Sequence, residues 1–301
     1  MGVLFQSFLR KVRSSAPVGV SLVESSDPAA LSALAAAEAE GFAIPYLVGD
    51  RDKTERAIEE AAISFENPVF ISAKDHEEAA RYGVSLVRDK SCGILMKGRV
   101  STPLLLRAVL DRANGLRTEG LLSHTACLEV EGYDRFIFVT DGGVNLAPDL
   151  EKKVRIAGNA ISVARMMGVS RPRVACLGPT EIPTADSEAS IHGAILSKMG
   201  DRGVFPEAYI DGPMALDAAI SMDSATIKGI GGEVAGKADI LLAPDLISAN
   251  SMAKSMQYFA KAELAGVIVG ARAPVVVISR ADTKTAKLYS LAMARGLITV
   301  D

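Results

Sequence analysis

Five short polar runs stand directly after apolar stretches, and their side chains suit the binding of an anion. Gly93–Met96 is followed by Lys97, Gly98, Arg99, Val100, Ser101, Thr102 and Pro103, and Phe136–Thr140 by Asp141, Gly142, Gly143, Val144 and Asn145. Glu207–Ile210 leads into Asp211, Gly212 and Pro213, with Asp217 beyond. Ile240–Ala243 leads into Pro244 and Asp245, then Asn250 and Lys254, and Val275–Ile278 into Ser279, Arg280, Ala281 and Asp282. Lysine, arginine and hydroxyl side chains together suit a phosphate-like group, since cations neutralise its charge and hydroxyls satisfy its lone pairs. Singly, each run has an ordinary explanation. Ser101 or Thr102 caps a helix, Asp211-Gly212-Pro213 makes a turn, Lys254 is a solvated charge, and Asp282 caps the last helix. Together they fall at successive strand ends, which is where ligands bind in α/β sheets.

One further stretch imitates a phosphate loop. Gly231, four residues, then Gly236-Lys237 reads G-x-x-x-x-G-K. A working phosphate loop follows a strand, opens a helix and ends in Ser or Thr. This one follows the helical pattern of Ala215–Lys228, precedes the strand pattern of Asp239–Ala243, and has Ala238 where the hydroxyl belongs. Its glycines are expected to form a loop entering a strand.

The elements that must position these residues alternate. Strands are predicted at Val18–Val23, Pro45–Val48, Val69–Ser72 and Arg173–Leu177, besides the five above. Between them lie helical patterns such as Pro28–Glu40, Glu151–Met167, Asp186–Lys198 and Ser251–Glu263. Strand, helix, strand at this spacing means βαβ units and mostly parallel sheets, whose doubly covered strands read as continuous apolar runs. Leu121–Thr140 breaks the rhythm, as two strands joined by the turn 131–134, and a domain boundary is placed near Gly120.

The whole chain narrows the classes. At 301 residues two domains are expected, and 49% hydrophobic with 23% charged residues argues for a sizeable core. A net charge of −3 without a basic cluster argues against nucleic acid or a polybasic membrane anchor. Cys92, Cys127 and Cys176 form no C-x-x-C pair and read as buried free thiols. Residues 1–23 read as an amphipathic helix and a strand, without a signal-peptide core. The run Leu264–Ile278 is interrupted by Arg272 and Pro274, so it does not span a bilayer. A cytoplasmic protein is expected.

Several pieces in order are similar to the phosphate acetyl/butyryltransferase family, and nearer its butyryl branch. They are "LMKGRVSTPLLLRAVLD", "GLRTEGLLSH", "TDGGVNLAPDLEKKVRIAGNAISVARMMG", "DGPMALDAAIS", "VAGKADILLAPDLISANSMAKSMQYFA" and "AGVIVGARAPVVVISRAD", with Lys287 after them. The resemblance covers roughly 90–295. It implies an isocitrate/isopropylmalate dehydrogenase-like fold with a cleft between two α/β domains, 1–120 plus 271–301 and 121–270, and a homodimer formed through the second. It also implies reversible acyl transfer, in which acyl-CoA and phosphate give acyl phosphate and free CoA, with coenzyme A and acyl phosphate as substrates and no metal or redox cofactor.

On the resemblance, Arg280 clamps phosphate and Ser279 serves CoA or the oxyanion. Lys97, Gly98, Ser101 and Thr102 form a phosphate wall. Asp211 and Gly212 line the substrate site, and Asn250 and Lys254, one helical turn apart, complete the anion site. Two departures stand out. Ala286 takes the place of the acetyl branch's presumed thiol base, leaving Asp282 as base or as cap. Ala249 replaces a frequent glycine, adding a methyl near the anion site. Three rivals remain: a metal- and NAD-dependent dehydrogenase, an acyl-carrier-protein:phosphate acyltransferase, and a non-catalytic binding homologue. The first lacks support, because His76, His124 and His192 stand in unrelated contexts and no G-x-G-x-x-G is present.

Overall fold

The computed structural model describes residues 2–277, 279 and 282–298. The chain divides into two compact units, the first comprising 3–120 and 265–301 and the second 121–264. Arg280 therefore lies outside the described residues, as does the end of the strand expected at Val275–Ile278.

The first unit opens with α1 (Val3–Arg13), β1 (Val18–Val23), α2 (Pro28–Ala39), β2 (Ala43–Gly49), α3 (Arg51–Glu60), β3 (Val69–Ser72), α4 (His76–Arg88), β4 (Ile94–Lys97) and α5 (Thr102–Val109). Strands β3, β2, β1 and β4 lie side by side and parallel. Each crossover is a helix started by an aspartate whose carboxylate accepts a first-turn N–H: Asp27 for α2, Asp50 for α3 and Asp75 for α4. The alanines of α2 that face the core, Ala30, Ala33 and Ala37, are at most 1% exposed, so the helix axis can sit close to its neighbours.

The second unit runs β5 (Ser123–Glu129), β6 (Ile137–Thr140), α6 (Leu150–Met166), β7 (Arg173–Leu177), α7 (Glu188–Asp201), β8 (Tyr209–Met214), α8 (Leu216–Ile220), α9 (Met222–Ile227), β9 (Ile240–Leu242) and α10 (Leu246–Tyr258). The β5–β6 pair is the expected antiparallel hairpin, while β6, β9, β7 and β8 are parallel. Their shared core gathers Leu128, Ile137, Val139, Leu177, Leu241 and Leu264. The chain then forms β10 (Glu263–Val269), β11 (Val275–Val276) and α11 (Lys284–Gly296). β11 pairs antiparallel with β10 and parallel with β4. The stacking of Phe5 on Tyr289, 4.5 Å between ring centres, seats α11 beside α1.

Three expectations are corrected. Asp211, Gly212 and Pro213 lie inside β8 rather than after it. The register shifts between Ala175 and Leu177, the kind of irregularity at which a ladder accommodates a proline. The helix expected at Ser251–Glu263 starts instead at Leu246, because Asp245 caps it through Ser248 N–H, and it ends before β10. β10 itself was read only as part of an apolar run. No helix among the described residues is long and apolar enough to cross a membrane.

Candidate active site

In the first unit the polar runs sit at the carboxyl ends of parallel strands. Beyond β4 and β1 the backbones stay paired, Gly98 N–H donating to Val23 O at 2.8 Å and Arg99 N–H to Glu24 O at 2.9 Å. A Cβ on Gly98 would stand 2.2 Å from Glu24 O, so the close approach that demands glycine is between these two loops. Lys97, half-buried, donates from Nζ to Gly98 O at 3.2 Å. Ser101 takes the N-cap position of α5 with an extended backbone, yet its side chain makes no capping bond, and it is exposed. The hydroxyl that the sequence offered as a cap is thus not used as one, and Thr102 is the helix's first residue.

Glu24 was missed by sequence reasoning. It adopts the left-handed region, φ 58°, which costs a non-glycine residue about 1–2 kcal/mol. Its buried carboxylate meets His76 Nδ1 at 3.1 Å. Both line a cavity of about 610 Å³ with Ser26, Asp27, Pro28, Lys53 and Arg99. The signal available was Glu24-Ser25-Ser26-Asp27 following β1, one more strand end with polar residues.

The loop after β11 is tightly tied. Ser279 N–H donates to Asp282 Oδ2 at 3.0 Å, and Asp282 N–H returns to Ser279 O at 3.1 Å. Lys287 Nζ donates to Ser279 O at 3.1 Å and to Asp282 O at 2.6 Å. Asp282 and Lys287 are buried and Ser279 is exposed. Thr283, not Asp282, caps α11, accepting Ala286 N–H at 3.1 Å. Asp282 instead closes the turn that carries Ser279.

In the second unit the loop after β6 turns around Asp141, which is 3% exposed. Its Oδ1 accepts N–H groups of His124, Gly143 and Val144 at 3.1, 2.9 and 3.0 Å. Its Oδ2 accepts Asn145 N–H at 3.0 Å and Asn145 Nδ2 at 2.6 Å. The Gly142 carbonyl accepts Asn250 Nδ2 at 3.0 Å, joining this loop to α10. On the same helix Lys254 Nζ donates to Gln257 Oε1 at 2.9 Å. Asp211 is apart from this group, accepting Ser197 Oγ at 2.9 Å and Gly212 N–H at 2.8 Å. Ala249 is fully buried in the core cluster, so its methyl fills core rather than the neighbourhood of an anion, which corrects the expectation drawn from it.

One buried cation lies outside the sequence reading. Lys153 in α6 is 4% exposed and meets His192 Nδ1 of α7 at 3.1 Å. Burial pushes the Lys153 ammonium below its ordinary range; burial and then the Lys153 charge do the same to His192. The three thiols are inert for the same reason, with the shift in the opposite direction. Burial raises Cys92 to about 12 and lifts Cys127 and Cys176 as well, so none supplies a thiolate near neutral pH.

Parallel α/β units whose strand ends carry lysines, hydroxyls and oriented peptide groups define a protein that handles small anionic ligands. The sequence pattern of the family described as "Phosphate acetyl/butaryl transferase" matches residues 72–295, and the chain belongs to that family. It is 38% identical over 290 residues to the phosphate butyryltransferase of Clostridium beijerinckii, an alignment covering 96% of each chain. Its structure is similar to that of a branched-chain phosphotransacylase from Enterococcus faecalis, with a TM-score of 0.81 and 28% identity, covering 93% of this chain and 99% of that one. A putative 4-hydroxythreonine-4-phosphate dehydrogenase from Salmonella typhimurium shares the fold at a TM-score of 0.55 and 12% identity, covering 94% of this chain and 100% of that one. The dehydrogenase-like architecture expected from the sequence is therefore the one found.

Proposed function

We propose that this enzyme transfers a short acyl group between coenzyme A and inorganic phosphate, with butyryl or a branched chain of similar size favoured over acetyl. The observation that carries the reading is the 38% identity to a phosphate butyryltransferase along 96% of both chains. The reaction balances without a metal or redox cofactor. A phosphate oxygen attacks the thioester carbonyl, the C–S bond breaks, and the CoA thiolate departs and takes up a proton. In reverse, thiolate attacks the acyl phosphate carbonyl and phosphate leaves with the electrons of the C–O bond.

Within this reading Arg280 holds phosphate by its planar fork, and Ser279 serves the CoA sulfur or the tetrahedral oxyanion. Lys97, Gly98, Ser101 and Thr102 bind phosphate in the first unit, supported by the uncommitted cap at Ser101. Asn250 and Lys254 bind anion in the second unit, beside the ordered loop of Asp141. Asp211 and Gly212 have the weakest support, being engaged within β8. Asp282 is assigned the closing of the Ser279 turn, supported by its bond to Ser279 N–H, in preference to the role of thiol base. Asp282→Asn decides between them: its amide oxygen still accepts the Ser279 N–H, so a turn-closing role keeps most of kcat and the pH–rate profile, whereas a base role loses both.

A thiol-release assay with acetyl-, propionyl-, butyryl- and isobutyryl-CoA, with and without phosphate, tests the whole proposal. Release that ignores phosphate overturns acyl transfer, and a kcat/KM highest for acetyl-CoA selects the acetyltransferase reading instead. One methylene is worth about 1–3 kcal/mol in such a pocket, so neighbouring chains are expected to overlap. A homodimer is also proposed, supported by apolar side chains of the second unit at the surface: Ile182, Ile227 and Phe259 are 76%, 86% and 88% exposed. Light scattering after size exclusion measures it directly.

A further inference from the structure

We infer that Lys287 is a positioning residue that holds the Ser279 turn in its working geometry, an inference that rests on the acyl-transfer reading above and adds a component to it. Lys287 is the fourth residue of α11 and is only 3% exposed. A cation in a first turn faces the positive end of the helix dipole. Burying an ammonium there also costs several kcal/mol unless oxygen atoms replace its water. A lysine is a poor choice for packing alone at such a place. The oxygens are supplied by the turn itself, through the carbonyls of Ser279 at 3.1 Å and Asp282 at 2.6 Å.

The consequence falls on Ser279. Its N–H is taken by Asp282 Oδ2 at 3.0 Å, and its carbonyl is shared by Lys287 Nζ and the Asp282 N–H at 3.1 Å each. The peptide groups on both sides of the residue are thereby fixed while the residue remains exposed. Holding a reacting group to within about 0.5 Å is what a supporting layer provides, and a displacement near 1 Å costs about 100-fold in rate. Lys287 thus acts through the backbone of Ser279, its ammonium held by the carbonyls of Ser279 and Asp282.

The test is steady-state kinetics of Lys287→Met, Ser279→Ala, the double variant and Thr283→Ala, with thermal midpoints measured alongside. Lys287→Met is expected to lower kcat about 100-fold while both KM values stay within about threefold. The double variant is expected to be no slower than the slower single one, since both changes act on one turn. Thr283→Ala removes the α11 cap and is expected to lower the midpoint while keeping kcat. Lys287→Met at wild-type kcat, or a Thr283→Ala loss of kcat as large as that of Lys287→Met, overturns the inference, the latter by tracing the effect to helix stability. Ser279→Ala at full activity overturns the assignment of Ser279 instead, and wild-type CoA release that ignores phosphate overturns the reaction itself. If Lys287→Met does not fold, Lys287→Gln, which keeps N–H donors and loses the charge, carries the same comparison.

Discussion

The loop after β6 is gathered by one buried carboxylate, whereas the loop after β11 sets a buried ammonium beside the buried Asp282 carboxylate. Asp141 collects N–H groups from His124, Gly143, Val144 and Asn145, while Lys287 collects the carbonyls of Ser279 and Asp282. The difference has an energetic meaning. A carboxylate receiving several charge-assisted bonds is well compensated for burial, and its removal leaves several donors with no acceptor. Met in place of Lys287 removes one donor from the Ser279 and Asp282 carbonyls, and the Ser279 carbonyl keeps the Asp282 N–H, so fewer groups lose a partner than at Asp141. The Asp141 loop is therefore an element of the fold, whereas the Lys287 clamp is an element of geometry.

The sharpest test of that contrast is Asp141→Ala. It is expected to cost about 3 kcal/mol or more in urea unfolding, while Lys287→Met costs about 1–2 kcal/mol. Equal losses for the two would break the comparison. Gly98→Ala extends it to a loop held by backbone approach and no buried charge. With a Cβ 2.2 Å from Glu24 O, an intermediate cost of about 2 kcal/mol is expected, read from the same unfolding curves. Asn250→Ala then asks whether the Asp141 loop needs its tie to α10. Loss of the 3.0 Å bond to Gly142 O should cost about 1 kcal/mol and leave α10 folded by circular dichroism.

The smallest expected effect concerns a third arrangement, in which the buried cation Lys153 faces a histidine instead of a backbone. Because the folded His192 pKa lies below its unfolded value of 6.5, the unfolded chain binds more protons as pH falls through that region. Stability should be present above about pH 6.5 and decline below it. The groups around the pair are Asp149, Glu188, Asp245 and Cys176. The urea midpoint is expected to fall from pH 7.5 to 5.5 in the wild type and to fall less in His192→Gln; an unchanged slope would assign the acid sensitivity to other groups.

Much of the scaffold is legible in the sequence. β1 and β7 occupy the residues expected of them, because doubly covered parallel strands leave mostly apolar runs, and β3 does so as an edge strand with Val69 exposed. The α10 start was misplaced because Asp245 was read as a rim residue when it was also a cap. β8 runs past the expected end because Asp-Gly-Pro is turn chemistry in isolation, whereas pairing with β7 across a register shift makes it strand. Candidate site residues in contiguous runs were easy to see; Glu24 and Lys287 gained meaning only from partners at other positions.

By itself, the sequence determined the alternation of strands and helices, the strand ends at which polar residues gather, and membership in a family through motifs in fixed order. The alternation and the strand ends are consequences of local propensity and periodicity, which the chain carries within each short window, while the family rests on motifs shared with its members. Only the tertiary structure decided what each polar residue is engaged in. It showed Ser101 to be a cap in name only, Asp282 to close a turn, Asp141 to be the hub of a loop, and Lys287 to be buried against carbonyls. A side chain's partner is set by which segments pack together, and in a chain of parallel crossovers the segments that meet at a strand end come from distant stretches of sequence.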